Sequence, residues 1–200
     1  MNKRQQSALN TRKKLIKAAL NIAREKGFDV INVEDITQKA CVAKGTFYTY
    51  FKRKEDILIE ICRAPFEEIA DELELSKGKN ITDKLSLYFH RFMECVEYYG
   101  IHICRGWIRD VIDPNAAPEE RDNQKWNYDV EMLSGILQKA IENKELKENT
   151  PVELLVHIII SELYGMMTCW CMSDGKFEPL DWTKEFCKIQ IKSILKPYLL

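Results

Sequence analysis

Two hundred residues, 46% of them apolar and 30% charged, describe a soluble protein with a sizeable core and a solvated exterior. The formal net charge of −1 conceals an asymmetry, with 13 Lys and Arg against 5 Asp and Glu in residues 1–55 and 17 against 26 in residues 56–200. A basic end on an acidic remainder is the distribution of a polyanion-binding module joined to a body that does not touch the polyanion.

The first 30 residues are polar and basic, without an apolar run of signal length or a small-residue cleavage site, so a cytoplasmic protein is expected. Gly and Pro are scarce and no strand-like alternation is sustained, which makes the chain all-α. A first helix runs from about Ala8 to Lys26 with Leu15, Ile16, Ala19, Leu20 and Ala23 on one face, and Gly27 ends it. Asn32 N-caps a second helix, with Asp35 three residues on as a relative of the capping box. That helix ends near Ala40, and a third runs from about Lys44 to Phe51. A fourth opens at Lys54-Glu55 and carries Ile57, Leu58 and Ile61; Pro65 is expected to bend or break it.

Beyond the polar loop Ser76–Asn80, helical patterns occupy about 81–99, 101–111, 118–143, 151–172 and 181–196. The most apolar stretch, Leu154 to Trp170, is interrupted by His157, Ser161 and Glu162; a membrane span needs about 20 mostly apolar residues, so this reads as a buried helix and no membrane partner is expected. Seven Cys without a Cys-x-x-Cys spacing and only three His argue against a metal site, and no cofactor is expected. Free thiols in a reducing compartment are the better reading.

Residues 32–51 place two short helices about a turn of some three residues, the helix-turn-helix pattern. At 100° per residue, Phe47 and Phe51 share one face of the second helix and Gly45, Thr46 and Thr49 the opposite one. The aromatic pair can anchor the helix against Ile36, Ala40 and Leu20, leaving a face of small side chains to enter a major groove about 12 Å wide. Lys44, Tyr48, Tyr50 and Lys54 flank that face within reach of phosphates, which fix register, while the threonines can touch base edges. The full set of residues assigned to DNA is Asn32, Ala43, Lys44, Gly45, Thr46, Tyr48, Thr49, Tyr50 and Lys54.

Residues 12–58 resemble the DNA-binding domain of the TetR family. The resemblance rests on Ala18-Ala19, Gly27-Phe28, Val33, Ile36, Ala40, Val42, the string Lys44-Gly45-Thr46-Phe47-Tyr48-Thr49-Tyr50-Phe51, and Lys54-Glu55. It implies about nine helices, with residues 1–55 as a three-helix DNA-binding domain and residues 56–200 as an effector-binding and dimerisation domain. It further implies a homodimer through the helices at about 151–172 and 181–196, a palindromic double-stranded operator and an unidentified small-molecule effector. Two positions depart from the family pattern. Cys41 stands where the turn usually carries Gly, and Ala43 where Ser or Thr usually caps the recognition helix, a cap worth typically ~1 kcal/mol.

For the effector, Trp107, Trp126, Tyr128, Met166 and Trp170 are the candidate lining, weighed against ordinary core packing. Tyr88, Phe92 and His102 are weaker candidates of the same kind. Glu162, with His157 on the same apolar helix, is either a polar handle for the ligand or paired internally. The reading is therefore a DNA-binding repressor released by a small molecule. Its alternatives are an architectural or partner-recruiting DNA binder without an effector and, more remotely, an enzyme with a Cys/His site. No nucleophile elbow, phosphate loop or metal motif supplies catalytic residues for the last.

Overall fold

In the computed structural model, residues 3–28, 30–76, 78–112 and 124–200 are described. The elements in chain order are α1 (Lys3–Lys26), α2 (Val33–Lys39), α3 (Lys44–Tyr50), α4 (Lys54–Leu75), α5 (Ile81–Tyr99), α6 (Ile101–Ile112), α7 (Gln124–Glu142), α8 (Val152–Met172), α9 (Pro179–Phe186), a π-helical segment (Cys187–Ile191) and α10 (Lys192–Leu195). Among the described residues there is no strand, only a single antiparallel bridge between Leu146 and Leu199. The helix expected at 181–196 is a helical run from Pro179 to Leu195 that loosens into the π segment midway. The start of the helix expected at 118–143 lies outside the described residues. At Pro65 the expected break does not occur: α4 continues from Lys54 to Leu75, because a proline removes one hydrogen bond of a ladder that 22 residues sustain.

The chain packs as two units, Met1–Ala64 with Tyr99–Ala116, and Pro65–Tyr98 with Ala117–Leu200. These differ from the division near residue 55 that charge suggests, because α6 packs on α1 within the first unit. The core of the first unit comprises Leu15, Ala18, Ala19 and Ala23 of α1 together with Phe28, Ile31, Ile36, Phe47, Phe51, Ile57, Leu58 and Ile103. Gly27, at φ +87°, turns the chain out of α1. Gly106 of α6 lies so close to Phe28 and Leu58 that an added Cβ would stand 3.7 Å and 3.9 Å from them. Arg12 crosses from α1 to Glu60 of α4 at 2.8 Å, and the Tyr99 hydroxyl donates to the Ile61 carbonyl at 2.7 Å.

Local chemistry sets the helix-turn-helix. Asn32 Oδ1 accepts from the Asp35 N–H, and Asp35 Oδ2 accepts from the Asn32 N–H, each at 2.9 Å, completing the capping box. At the other end of α2 the Val42 N–H reaches the Thr37 carbonyl at 3.0 Å and the Cys41 N–H reaches Gln38 at 3.1 Å, the paired bonds of a Schellman motif. Cys41 therefore occupies the left-handed position, at φ +56°. The same motif ends α7 at Lys144 and α8 at Asp174.

The second unit is built around Leu85, Phe89, Phe92, Met93, Leu133, Leu137, Ile159, Leu163, Ile191 and Leu195. Arg91 of α5 pairs with Glu72 of α4 at 2.8 Å and with Glu94 at 2.6 Å, and Phe89 stacks on Phe186 with ring centroids 5.0 Å apart. α8 is long and apolar enough by composition to cross a membrane, and it buries Leu155, Val156, Ile159, Ile160, Leu163, Met167, Trp170 and Cys171. Its opposite side leaves Leu154, Gly165, Cys169 and Met172 exposed.

Because a left-handed position disfavours an L side chain, Cys41→Gly should raise folding stability by roughly 0.5–1 kcal/mol after the entropy of the added glycine is subtracted. Urea unfolding measures this; an unchanged or lower midpoint would contradict the assignment of strain to Cys41.

Candidate nucleic-acid interface

α3 is amphipathic within two turns. Phe47 is 0% and Phe51 4% exposed, with ring centroids 5.3 Å apart, and the Arg12 guanidinium lies 5.4 Å over the Phe51 ring. The opposite face is open. No atom lies within 4 Å of a Cβ built on Gly45, Thr46 is half-buried, and Tyr48 and Thr49 are exposed. The Thr49 hydroxyl donates back to the Gly45 carbonyl at 3.2 Å, which leaves the oxygen lone pairs as acceptors. Tyr50 is half-buried at the edge. Ala43 caps α3 with no side-chain hydrogen bond, and the Thr46 N–H turns back to the Ala43 carbonyl at 2.9 Å.

Asn32, Lys44 and Lys54 have partners beyond α3 within the chain. Asn32 is exposed but gives its side-chain oxygen to the α2 cap. Lys44 forms an ion pair with Glu34 of α2, which holds the Glu34 carboxyl below and the Lys44 ammonium above their ordinary values. Both groups stand at the surface, where water screens such a pair to little net worth, so phosphate can compete for the lysine. Lys54, assigned to phosphate from its place in the sequence, also has partners within the chain. Its ammonium donates to the carbonyls of Phe28 and Ile31, each at 3.1 Å, and sits 4.8 Å from the Phe28 ring centroid. Lys54 thereby fastens the start of α4 to the α1–α2 connection. Lys52, not singled out from sequence, is exposed beside it, with its backbone N–H held by Asp56 at 2.8 Å.

A second polar feature lies within the other unit. The Asp129 carboxylate of α7 is 0% exposed and accepts from the Tyr88 hydroxyl of α5 at 3.0 Å and the Tyr164 hydroxyl of α8 at 2.6 Å. Burial, and then the charge of Asp129, push both phenols above their ordinary value of 10.0. Trp126 stacks on His157 at 5.9 Å and meets Tyr164 at 6.3 Å, and Phe92 meets Tyr164 at 6.0 Å. Of the effector residues expected from sequence, Trp126 thus belongs to this cluster, while Tyr128, Glu162 and Met166 are half-buried on α7 and α8. Trp170 covers the turn at Gly175, its Nε1 3.7 Å from where a Cβ would stand. Trp107 belongs to the first unit. Asp129 was missed in the sequence reading, although its spacing to Leu133, Leu137 and Ala140 puts a carboxylate on an apolar face.

Residues 15–61 match the family model described as bacterial regulatory proteins, tetR family. The chain is 34% identical over 150 residues to an uncharacterized HTH-type transcriptional regulator, YvdT, of Bacillus subtilis (strain 168), covering 74% of this chain and 76% of that one. It is 26% identical over 183 residues to the fatty acid metabolism regulator protein of the same organism, covering 90% and 93%. The fold is similar to the crystal structure of the transcriptional regulator FadR from Bacillus subtilis in complex with stearoyl-CoA, with a TM-score of 0.73, 25% identity, and 90% of this chain and 97% of that chain covered.

Two outcomes follow from these contacts. Lys54→Ala should destabilise the protein by about 1–2 kcal/mol, the scale of charged hydrogen bonds at a half-exposed site, while leaving the salt dependence of DNA binding nearly unchanged. A stable variant with a shallower salt slope would restore Lys54 to the phosphates. For Tyr88 and Tyr164, the unfolded phenols release their protons near pH 10.0 while the folded ones keep theirs. Stability is therefore fully present below that pH and falls above it, by up to ~1.4 kcal/mol per pH unit for each tyrosine. Urea midpoints taken on either side of pH 10.0 should drop for the wild type and drop less for Tyr164→Phe; equal slopes would contradict the buried clasp.

Proposed function

Because the chain belongs to the TetR family of bacterial regulatory proteins, we propose that it represses transcription as a homodimer on a palindromic operator and leaves it on binding an acyl-CoA or a related amphiphile. It is a DNA-binding transcriptional regulator controlled by a small molecule, and not an enzyme. The observation that carries the DNA reading is α3 itself, with Phe47 and Phe51 buried beneath it and Gly45, Thr46 and Thr49 presented outward. Residues 1–55 are the reading head; residues 56–200 are the effector and dimerisation body. A cytoplasmic location goes with that target.

The acyl ligand is supported by the stearoyl-CoA bound to the structurally similar FadR. In this chain the aromatic and polar cluster of Trp126, Tyr128, Tyr164 and Asp129, with Glu162 and Met166 along α8, is proposed to sense the effector. α4 begins in the head and ends in the body, so a shift along it changes the separation of two heads. Paired heads must meet half-sites about 34–36 Å apart, and a near-complete switch needs a ligand that prefers the released state by roughly 10⁴-fold.

The dimer reading rests on the exposed side of α8, with Leu154, Gly165 and Met172, and on Trp182 and Ile189 further along, which are 57% and 63% exposed. A helix apolar over most of its circumference needs a second covered side. Light scattering at micromolar concentration should give twice 23.5 kDa; a stable monomer would remove both the dimer and the switch. With a selected operator duplex, fluorescence anisotropy should show salt-sensitive binding that stearoyl-CoA reverses. Unaltered DNA binding at saturating ligand would remove the acyl effector.

A further inference from the structure

The helix-turn-helix, residues 32–51, contains two acidic side chains, Glu34 and Asp35. Asp35 is taken up by the capping box of α2, where its carboxylate accepts from the Asn32 N–H. Glu34 serves elsewhere. From the first turn of α2 it spans the turn between the helices and pairs with the ammonium of Lys44, ten residues on and the first residue of α3.

The pair contributes little to the fold. Its two side chains, Lys44 and Glu34, are 55% and 58% exposed, and an ion pair so open to water changes an equilibrium by about fivefold at most. The helix dipole favours an acid in the first turn of α2, but Asp35 already supplies one there. The consequence of Glu34 lies at the surface proposed to meet DNA. Lys44 flanks the exposed Gly45 and Thr49, so it is among the cations within reach of phosphate when α3 is seated. In the unbound protein the carboxylate occupies that cation and sets a negative charge at the edge of the reading surface. In a head with 13 Lys and Arg against 5 Asp and Glu, an acid at this position opposes the attraction that the rest of the segment supplies.

We propose that Glu34 is a specificity-determining residue, which withholds Lys44 from the phosphates of unrelated DNA and yields it on the operator. The proposal rests on the reading of α3 as the DNA-reading helix. Binding to unrelated sequence is almost wholly electrostatic and loosely held, so a paired ammonium gains little there by exchanging one anion for another. On the operator, base contacts from α3 fix the helix in the groove and hold a phosphate at constant distance from Lys44. That phosphate displaces Glu34, because a charge-assisted hydrogen bond reaches its strength only at short range and in line. Lys44 thus adds to binding where the sequence has already been recognised, and discrimination widens by the contact withheld elsewhere.

Fluorescence anisotropy of the full-length protein with a selected operator duplex and with a duplex of scrambled sequence, over a series of salt concentrations, tests this. Glu34→Gln should tighten binding to the scrambled duplex by about threefold or more and steepen its salt slope by about one. The operator slope should stay unchanged, so the ratio of the two affinities falls. Glu34→Ala should behave alike, since the lost charge rather than the new amide is responsible. In a Lys44→Met background the scrambled-duplex slope should no longer respond to Glu34→Gln. Equal tightening on both duplexes would mean simple repulsion of DNA and would overturn the proposal, as would a slope that still steepens without Lys44. Salt-sensitive wild-type binding with a silent Glu34→Gln overturns this inference alone. No wild-type binding to either duplex overturns the reading of α3 as well.

Discussion

A helix of seven residues is mostly unfolded in water, because its nucleation cost is never recovered by so few hydrogen bonds. α3 is such a helix, and it exists here because Phe47 and Phe51 sink into the core of the first unit. Everything proposed about DNA depends on that burial. It fixes which side of α3 faces away, and so it leaves Gly45, Tyr48 and Thr49 exposed with Thr46 half-buried beside them. Arg12 extends the constraint by lying over Phe51 while pairing with Glu60, which ties α1, the end of α3 and α4 together. Lys54 closes the same assembly from below by fastening α4 to the carbonyls of Phe28 and Ile31. The head is thus a stiff support for one short surface, as a reading element must be when base contacts are decided within tenths of an ångström.

The second unit depends on a different constraint. A carboxylate with no exposure is tolerable only if its lone pairs are met, and the Tyr88 and Tyr164 hydroxyls meet those of Asp129 from two other helices. Apolar packing alone would let α5, α7 and α8 slide with modest loss; the hydrogen bonds admit one register. A body that must transmit ligand binding needs helices that move between defined arrangements rather than drift, and directional bonds in a low-dielectric interior supply that definition.

What was legible in the sequence was local. The Asn32–Asp35 capping box, the stop at Gly27, the missing cap at Ala43 and the two faces of α3 all join residues within about one or two turns. The misfit of Cys41 was also visible, and its left-handed backbone gives that misfit a cause. What was not legible joins residues far apart in the chain. Lys54, assigned to phosphate from the sequence, also reaches carbonyls 26 and 23 residues away, and a lysine in a basic segment carries no mark of a carbonyl partner. Asp129 left a local signal, a charge on an apolar face, but its tyrosines stand 41 and 35 residues off. Charge marks a division near residue 55 and packing marks another, since electrostatic sign reports what a surface meets and not which helices share a core; α6 joins the first unit through Gly106 and its neighbours.

The exposed side of α3 is proposed to read base edges from two symmetry-related heads. The most direct measurement is the affinity of the wild type and of Thr49→Ala for every single-base variant of a selected operator, at fixed salt. Thr49→Ala should lose discrimination at one position in each half-site, about one helical turn apart and related by the operator's two-fold axis, with the other positions still costing roughly 1–3 kcal/mol per mismatch. A uniform fall in affinity over all sequences, or an unchanged specificity profile, would contradict it.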